Sequence, residues 1–270
     1  MNPYINIIRP NVCILSIIGM IVGAIVADVI LNPIIILALV VTFLITGAGN
    51  VINDYFDHKI DRINRPTRPI PSGRMTRKKA AGYYVILSII GLIVSYFVSI
   101  PFLTIALFNI IILSIYSWKL KKIAFIGNIS VAYLAASNFL AAGLILNGFY
   151  SIPFTILLFF GISLIGTIAR EITKDVEDVE GDRKSGAKTL PILVGERGSR
   201  FIANIFLVLA LVSLSIPFIF DIFSLFYMIG AVPAVFVSVY SFSKKPPKAQ
   251  KLIKLVMYFV MLGFILGALI

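Results

Sequence analysis

Nine apolar segments of about 20 residues, each long enough to cross a membrane, follow one another along the chain. They lie near residues 12–31, 34–53, 80–99, 101–118, 123–146, 151–172, 201–220, 222–241 and 252–270. Inside hydrocarbon every backbone polar group has to be bonded within its own segment, so each segment is expected to be a helix. The pattern therefore predicts an all-α membrane protein with nine transmembrane helices.

The composition excludes an ordinary soluble domain. Of the 270 residues, 59% are hydrophobic and 13% are charged, and the mean hydropathy is +1.01. A soluble domain is typically about half apolar and about a quarter charged. The first segment is longer than the apolar part of a signal peptide, so we expect it to be retained as a membrane helix. The single cysteine, Cys13, excludes an intrachain disulfide.

The basic residues define one side of the membrane. If all nine segments are spans, all 24 lysines and arginines fall on one side, and the other side carries only Asp28 and Asp221. The positive-inside rule then predicts a cytoplasmic N-terminus and an external C-terminus. In a membrane protein, the net charge of +12 suits anionic headgroups or phosphorylated substrates and does not indicate nucleic acid.

Two acidic motifs of the same spacing, D-x2-D-x3-D, follow the second and sixth segments. They consist of Asp54, Asp57 and Asp61, and of Asp175, Asp178 and Asp182. On a helix this spacing places three carboxylates on one face, and Asn50 lies one turn earlier on the first of these faces. Gly181 weakens the expectation of a helix at Asp182. The polar stretches 54–79 and 173–200, which contain the motifs, are expected to form long loops on the cytoplasmic side.

The motifs indicate a site for magnesium. Three carboxylates on one face repel one another unless a cation lies between them. The motifs also lie at the C-terminal ends of their helices, where the helix dipole disfavours anions. Magnesium typically takes one or two carboxylates together with substrate phosphates. His58 and Cys13 are too few to form a typical zinc site. The two motifs together therefore predict the binding of a diphosphate through Mg²⁺.

Basic and polar side chains near the motifs are candidates for binding phosphate oxygens, because arginine and lysine supply several charged donors. The candidates are Arg9 and Asn11 before the first segment, Arg62, Arg65 and Arg68 after the first motif, Lys119 after the fourth segment, and Arg170 and Lys174 beside the second motif.

The placement of the motifs, four segments apart, indicates an internal repeat within a single domain covering residues 1–270. We expect two four-helix modules, about 1–122 and about 123–245, followed by a ninth helix at about 250–270. Repeats of this kind often form a shared site where they meet.

Three motifs resemble the UbiA superfamily of intramembrane prenyltransferases. They are N-D-x-x-D-x-x-x-D followed by R-P-x-R-P-I-P-S-G, K-D-x-E-D-x-E-G-D, and Tyr116-x-x-Lys119. The resemblance covers the whole chain and implies nine helices around a central cavity. It implies that both aspartate motifs bind Mg²⁺ and diphosphate with the help of Asn50 and Asn53, and it adds Tyr116 to the candidate site.

Within the superfamily, the second motif most resembles the archaeal digeranylgeranylglyceryl phosphate synthases. That resemblance implies geranylgeranyl diphosphate as the donor and the 2-hydroxyl of geranylgeranylglyceryl phosphate as the acceptor, with no obligate protein partner. One alternative is transfer to an aromatic acceptor, namely a quinone precursor, chlorophyllide or haem. A different alternative is a transporter, which would place ionisable groups near the middle of the membrane.

Overall fold

A computed structural model describes residues 2–184 and 186–269, without the side chains of Asn64 and Lys184. In this part of the chain, β pairing is limited to one isolated parallel bridge between Ile123 and Lys188. The helices are α1 (Pro3–Ile8), α2 (Pro10–Val26), α3 (Ile35–Asn64), α4 (Arg77–Val98), α5 (Ile100–Trp118), α6 (Ile126–Gly143), α7 (Phe154–Lys184), α8 (Leu190–Ser213), α9 (Ile216–Ile219), α10 (Met228–Phe242) and α11 (Pro246–Leu269).

Eight helical segments in the described residues are long and apolar enough to cross a membrane, and the 17-residue α2 is a shorter apolar helix. These nine segments correspond in order to the nine predicted spans, so the prediction of an all-α membrane protein is confirmed. The sequence pattern missed α1, because a helix of six residues is too short to produce an apolar segment of spanning length.

The first of two compact units contains the residues up to Leu120 together with Ser137–Pro153. In this unit α3 packs against α1, α2, α4 and α5. Ile7 and Ile8 of α1 share a buried cluster with Val51 of α3. A Cβ added at Gly49 would lie 2.7 Å from Cδ2 of Leu113, so this glycine lets α5 approach α3 next to the first acidic motif.

The second compact unit contains Lys121–Ala136 together with the residues from Phe154 onward. In this unit α7 packs against α8 and α11, and α11 packs against α10. Ile168 and Ile172 of α7 share a buried cluster with Ala132 of α6 and Ala203 of α8. These contacts hold the helix that carries the second acidic motif.

The helices that carry the acidic motifs are longer than the apolar segments predict. The predicted spans 34–53 and 151–172 end just before the motifs, but α3 continues to Asn64 and α7 to Lys184. The expectation of two long loops is therefore wrong, and the helix persists through Gly181. Outside hydrocarbon a helix keeps its backbone hydrogen bonds while its side chains become polar, so hydropathy does not mark its end.

Candidate active site

The first acidic motif forms a row of carboxylates along the last turns of α3. Asp54 and Asp61 are buried, with side chains 2% and 7% exposed, and Asp57 is half-buried. At a rise of about 1.5 Å per residue, the Cα atoms of the second and third aspartates lie about 4.5 Å and about 10.5 Å along the helix from that of the first. The side chains of Asp54 and Asp61 nevertheless converge, because both carboxylates bond to Nη1 of Arg68.

Two arginines compensate the buried carboxylates of this row. Arg68 donates from Nη1 to Oδ1 of Asp54 at 3.1 Å and to Oδ2 of Asp61 at 2.5 Å. Arg9 donates from Nη2 to the same Oδ1 of Asp54. A buried carboxylate without a partner would be strongly unfavourable, so these two guanidinium groups compensate the negative charge of Asp54 and Asp61 inside the first unit.

The position of Arg9 depends on the short helix α1. Arg9 lies between α1 and α2 in the left-handed region at φ 51°. Asn50 accepts a hydrogen bond from Nη1 of Arg9 at 3.5 Å, and its Nδ2 donates to the carbonyl of Ile8 at 2.8 Å. Burial lowers the pKa of the Arg9 guanidinium, and the nearby Asp54 carboxylate opposes that shift. Asn50 therefore ties α1 to α3 and holds Arg9 over the carboxylate.

Arg68 lies in the connection between α3 and α4, which is held by its own backbone hydrogen bonds. The N–H of Arg68 donates to the carbonyl of Arg65 at 3.1 Å, and the carbonyl of Arg68 accepts from the N–H of Ser72 at 3.0 Å and from its hydroxyl at 2.7 Å. Pro66 and Pro69 stiffen the same stretch by fixing φ. This turn directs Arg68 back to the face of α3 that carries the motif.

The second acidic motif lies on α7 and is more exposed than the first. Asp175 and Asp182 are half-buried, whereas Asp178 is exposed and lies 3.9 Å from Nζ of Lys174. Arg170 donates to the carboxylate of the buried Glu171. The positive charges next to this motif therefore pair with Glu171 and Asp178.

Asp175 is held by a residue that the sequence reasoning did not select. Asn128 of α6 donates from Nδ2 to Oδ2 of Asp175 at 2.7 Å, and Asn128 is 5% exposed. In the sequence, Asn128 is recognisable only as an asparagine near the beginning of a mainly apolar segment. Asparagines that merely bond between helices occur in the same setting.

The remaining candidates differ in their surroundings. Asn53 and Tyr116 are half-buried. The side chains of Asn11, Arg62, Arg65 and Lys119 are exposed, and Lys119 follows the last residue of α5. The first unit therefore brings together five candidates, namely Arg9, Asn50, Asp54, Asp61 and Arg68.

No three carboxylate, histidine or cysteine side chains converge on one point in the described part of the chain. Magnesium does not need such a cage, because it usually takes one or two carboxylates and completes its shell with water and phosphate oxygens.

A comparison with protein families finds that the model of the UbiA prenyltransferase family matches residues 14–263. The digeranylgeranylglyceryl phosphate synthase of Methanobrevibacter smithii is 42% identical over 281 residues, which cover 99% of this chain and 98% of that protein.

Two solved structures are similar along nearly the whole chain. One, of a digeranylgeranylglyceryl phosphate synthase in membranes, is 36% identical with a TM-score of 0.86 and covers 98% of this chain and 97% of its own. The other, a UbiA homologue from Archaeoglobus fulgidus bound to GPP and Mg²⁺, is 17% identical with a TM-score of 0.73 and covers 97% and 98% of the two chains. At that identity, the second structure establishes only the fold.

The ion pairs of the first unit predict a measurable contribution of Arg68 to stability. Arg68→Met leaves Asp61 without its guanidinium partner and Asp54 with Arg9 alone. We expect the free energy of unfolding to fall by about 3 kcal/mol, because Asp61 becomes a buried carboxylate without its ion-pair partner while Asp54 keeps Arg9. Thermal unfolding in detergent measures the change, and Lys59→Met, an exposed change on the same helix, is the control. Equal midpoints for the two variants would contradict the assigned role of Arg68.

Proposed function

The chain belongs to the UbiA prenyltransferase family, and we propose that it transfers a geranylgeranyl group from geranylgeranyl diphosphate to the 2-hydroxyl of geranylgeranylglyceryl phosphate. The choice of acceptor rests on the 42% identity to a digeranylgeranylglyceryl phosphate synthase over 99% of the chain. The reaction would form the second ether bond of an archaeal membrane lipid. The binding of a diphosphate is supported by the buried carboxylates of Asp54 and Asp61 on α3, which are flanked by the guanidinium groups of Arg9 and Arg68.

The residues present fit divalent magnesium. Both motifs offer carboxylate oxygens, the ligands that Mg²⁺ prefers, and Asn128 engages only one oxygen of Asp175. The fold neighbour from Archaeoglobus fulgidus binds GPP and Mg²⁺. We assign Asp54, Asp57 and Asp61, with Asp175, Asp178 and Asp182, as the magnesium ligands. Bound Mg²⁺ would supply positive charge that stabilises the diphosphate as it leaves.

The basic side chains of the site would bind the diphosphate directly. A guanidinium group matches two phosphate oxygens at once, so Arg9 and Arg68 can exchange a carboxylate oxygen for a phosphate oxygen while they keep their position. We assign Asn50 and Asn53 to the same anion, together with Tyr116, Arg62, Arg170 and Lys174. These groups would orient the donor and hold its negative charge before any bond breaks.

The transfer would replace the C1–O bond of the donor with an ether bond to the acceptor. The C1–O bond breaks and its electron pair leaves with the diphosphate, while the glycerol 2-oxygen bonds to C1 and its proton passes to the released diphosphate or to an aspartate carboxylate of the motifs. The apolar helices keep water away from the allylic carbon, so the acceptor hydroxyl, and not water, reacts with it. We assign the exposed basic residues Arg65 and Lys119 to the phosphate of the acceptor, and Asn11, two residues after Arg9, to the same binding site as Arg9.

The identity of the acceptor is tested by offering several acceptors to one preparation. Purified protein receives labelled geranylgeranyl diphosphate and Mg²⁺ with geranylgeranylglyceryl phosphate or with an aromatic quinone precursor. Mass spectrometry should identify digeranylgeranylglyceryl phosphate with the first acceptor and no prenylated product with the second. A prenylated aromatic product alone would replace the proposed function with transfer to an aromatic acceptor. In sealed proteoliposomes of the same protein, uptake of substrate without any product would indicate a transporter.

Substitution of either leading aspartate tests the two motifs. Asp54→Asn and Asp175→Asn keep the side-chain shape and remove one charged ligand each. We expect the transfer rate to fall by at least about 100-fold, as is typical when a group that stabilises transition-state charge is lost. Asp221→Asn, an exposed position outside both motifs, should transfer at the wild-type rate. Transfer by either motif variant at near the wild-type rate, with Mg²⁺ present, would remove that aspartate from the mechanism.

We propose that the N-terminus and both motifs face the cytoplasm and that the C-terminus lies outside, because all lysines and arginines fall on one side of nine spans. Single cysteines at the exposed positions Lys78 and Tyr150, in a Cys13→Ser background, test this orientation. In intact cells, a membrane-impermeant maleimide should label Tyr150→Cys, and Lys78→Cys should be labelled only after lysis. The reverse pattern would invert the orientation.

A further inference from the structure

Asn128 uses both ends of its side-chain amide. Its Oδ1 accepts a hydrogen bond from the backbone N–H of Phe125 at 3.1 Å, and its Nδ2 donates to Oδ2 of Asp175 at 2.7 Å. A backbone N–H can only donate, so the amide oxygen has to face Phe125 and the amide nitrogen has to face Asp175. The side chain is 5% exposed, which leaves it little freedom to turn away.

The backbone that holds Asn128 is itself fixed. Phe125 adopts φ 64°, in the left-handed region that a bulky residue rarely occupies. The N–H of Lys188 donates to the carbonyl of Lys122 at 2.9 Å, and the ring of Phe125 lies 5.8 Å from that of Phe206. Asn128, three residues after Phe125, reaches back to its N–H in the way that the third residue of a helix does in a capping box. The start of α6 therefore presents the amide in one direction.

The two leading aspartates are held in chemically different ways. Arg9 and Arg68 bring positive charge to Asp54, whereas Asn128 brings a neutral donor to Asp175. A neutral donor fixes the direction of the carboxylate without cancelling its charge. It also bonds only to Oδ2 and leaves Oδ1 available to a metal ion.

We infer that Asn128 is a positioning residue that orients Asp175 for the metal-bound diphosphate. The inference rests on the proposed function, since it gives Asp175 the role of a magnesium ligand. Residues that hydrogen-bond to a metal ligand typically change metal affinity by roughly 10–100-fold when they are removed. Asn128 should therefore affect the affinity for the metal.

The test measures metal binding without turnover. Calorimetric titration of the purified protein with Mn²⁺ in the presence of inorganic diphosphate should show a Kd about 10-fold weaker for Asn128→Ala than for wild type. Ser130→Ala is the control, because Ser130 is buried on the same helix and bonds only to the carbonyl of Ile126 at 2.7 Å. Its Kd should equal that of wild type.

A double variant separates positioning from a general effect on folding. If Asn128 acts through Asp175, then Asn128→Ala should not weaken Mn²⁺ binding further in a protein that already carries Asp175→Ala. An unchanged Kd for Asn128→Ala, or its full effect in the double variant, would overturn the inference. Failure of the wild-type protein to bind Mn²⁺ with diphosphate would overturn the proposed function itself.

Discussion

The burial of negative charge at the ends of long helices is the constraint on which the rest of the site depends. Asp54 has a side chain that is 2% exposed, and such a carboxylate persists only with partners held in place. The short helix α1 and the proline-rich turn after α3 position Arg9 and Arg68 against Asp54, and the start of α6 positions Asn128 against Asp175. Each of these segments therefore positions a side chain that bonds to one of the aspartates.

The length of the helices explains where the carboxylates lie. With 30 residues in α3 and 31 in α7, each helix is about 45 Å long, which exceeds the roughly 30 Å of hydrocarbon in a bilayer. The last turns therefore extend into the polar interface, where a phosphorylated headgroup also lies. A prenyl diphosphate has the same division into an apolar chain and a charged head, so the helices match the substrate in both regions.

The apolar segments predict the helical class and the nine spans, and the two acidic motifs can be read directly from the sequence. They could not predict that α3 and α7 continue as helices through the motifs, since hydropathy reports the surroundings of side chains and not backbone hydrogen bonds. Nor could they give the contacts of Arg9 and Asn128, which join residues 45 and 47 positions apart. Such pairs depend on how distant helices pack together, and the local sequence pattern does not show this packing.

The central claim is that the carboxylates of both motifs bind the divalent ions of a prenyl diphosphate. The most direct measurement is a crystal structure with Mn²⁺ and an unreactive thiolodiphosphate analogue of the donor, in which anomalous scattering locates the ions. We expect ions at about 2.0–2.2 Å, the coordination distance for a small divalent cation, from carboxylate oxygens of Asp54 and Asp175 and from the diphosphate. A diphosphate held by arginines alone, with no ion on either motif, would contradict it.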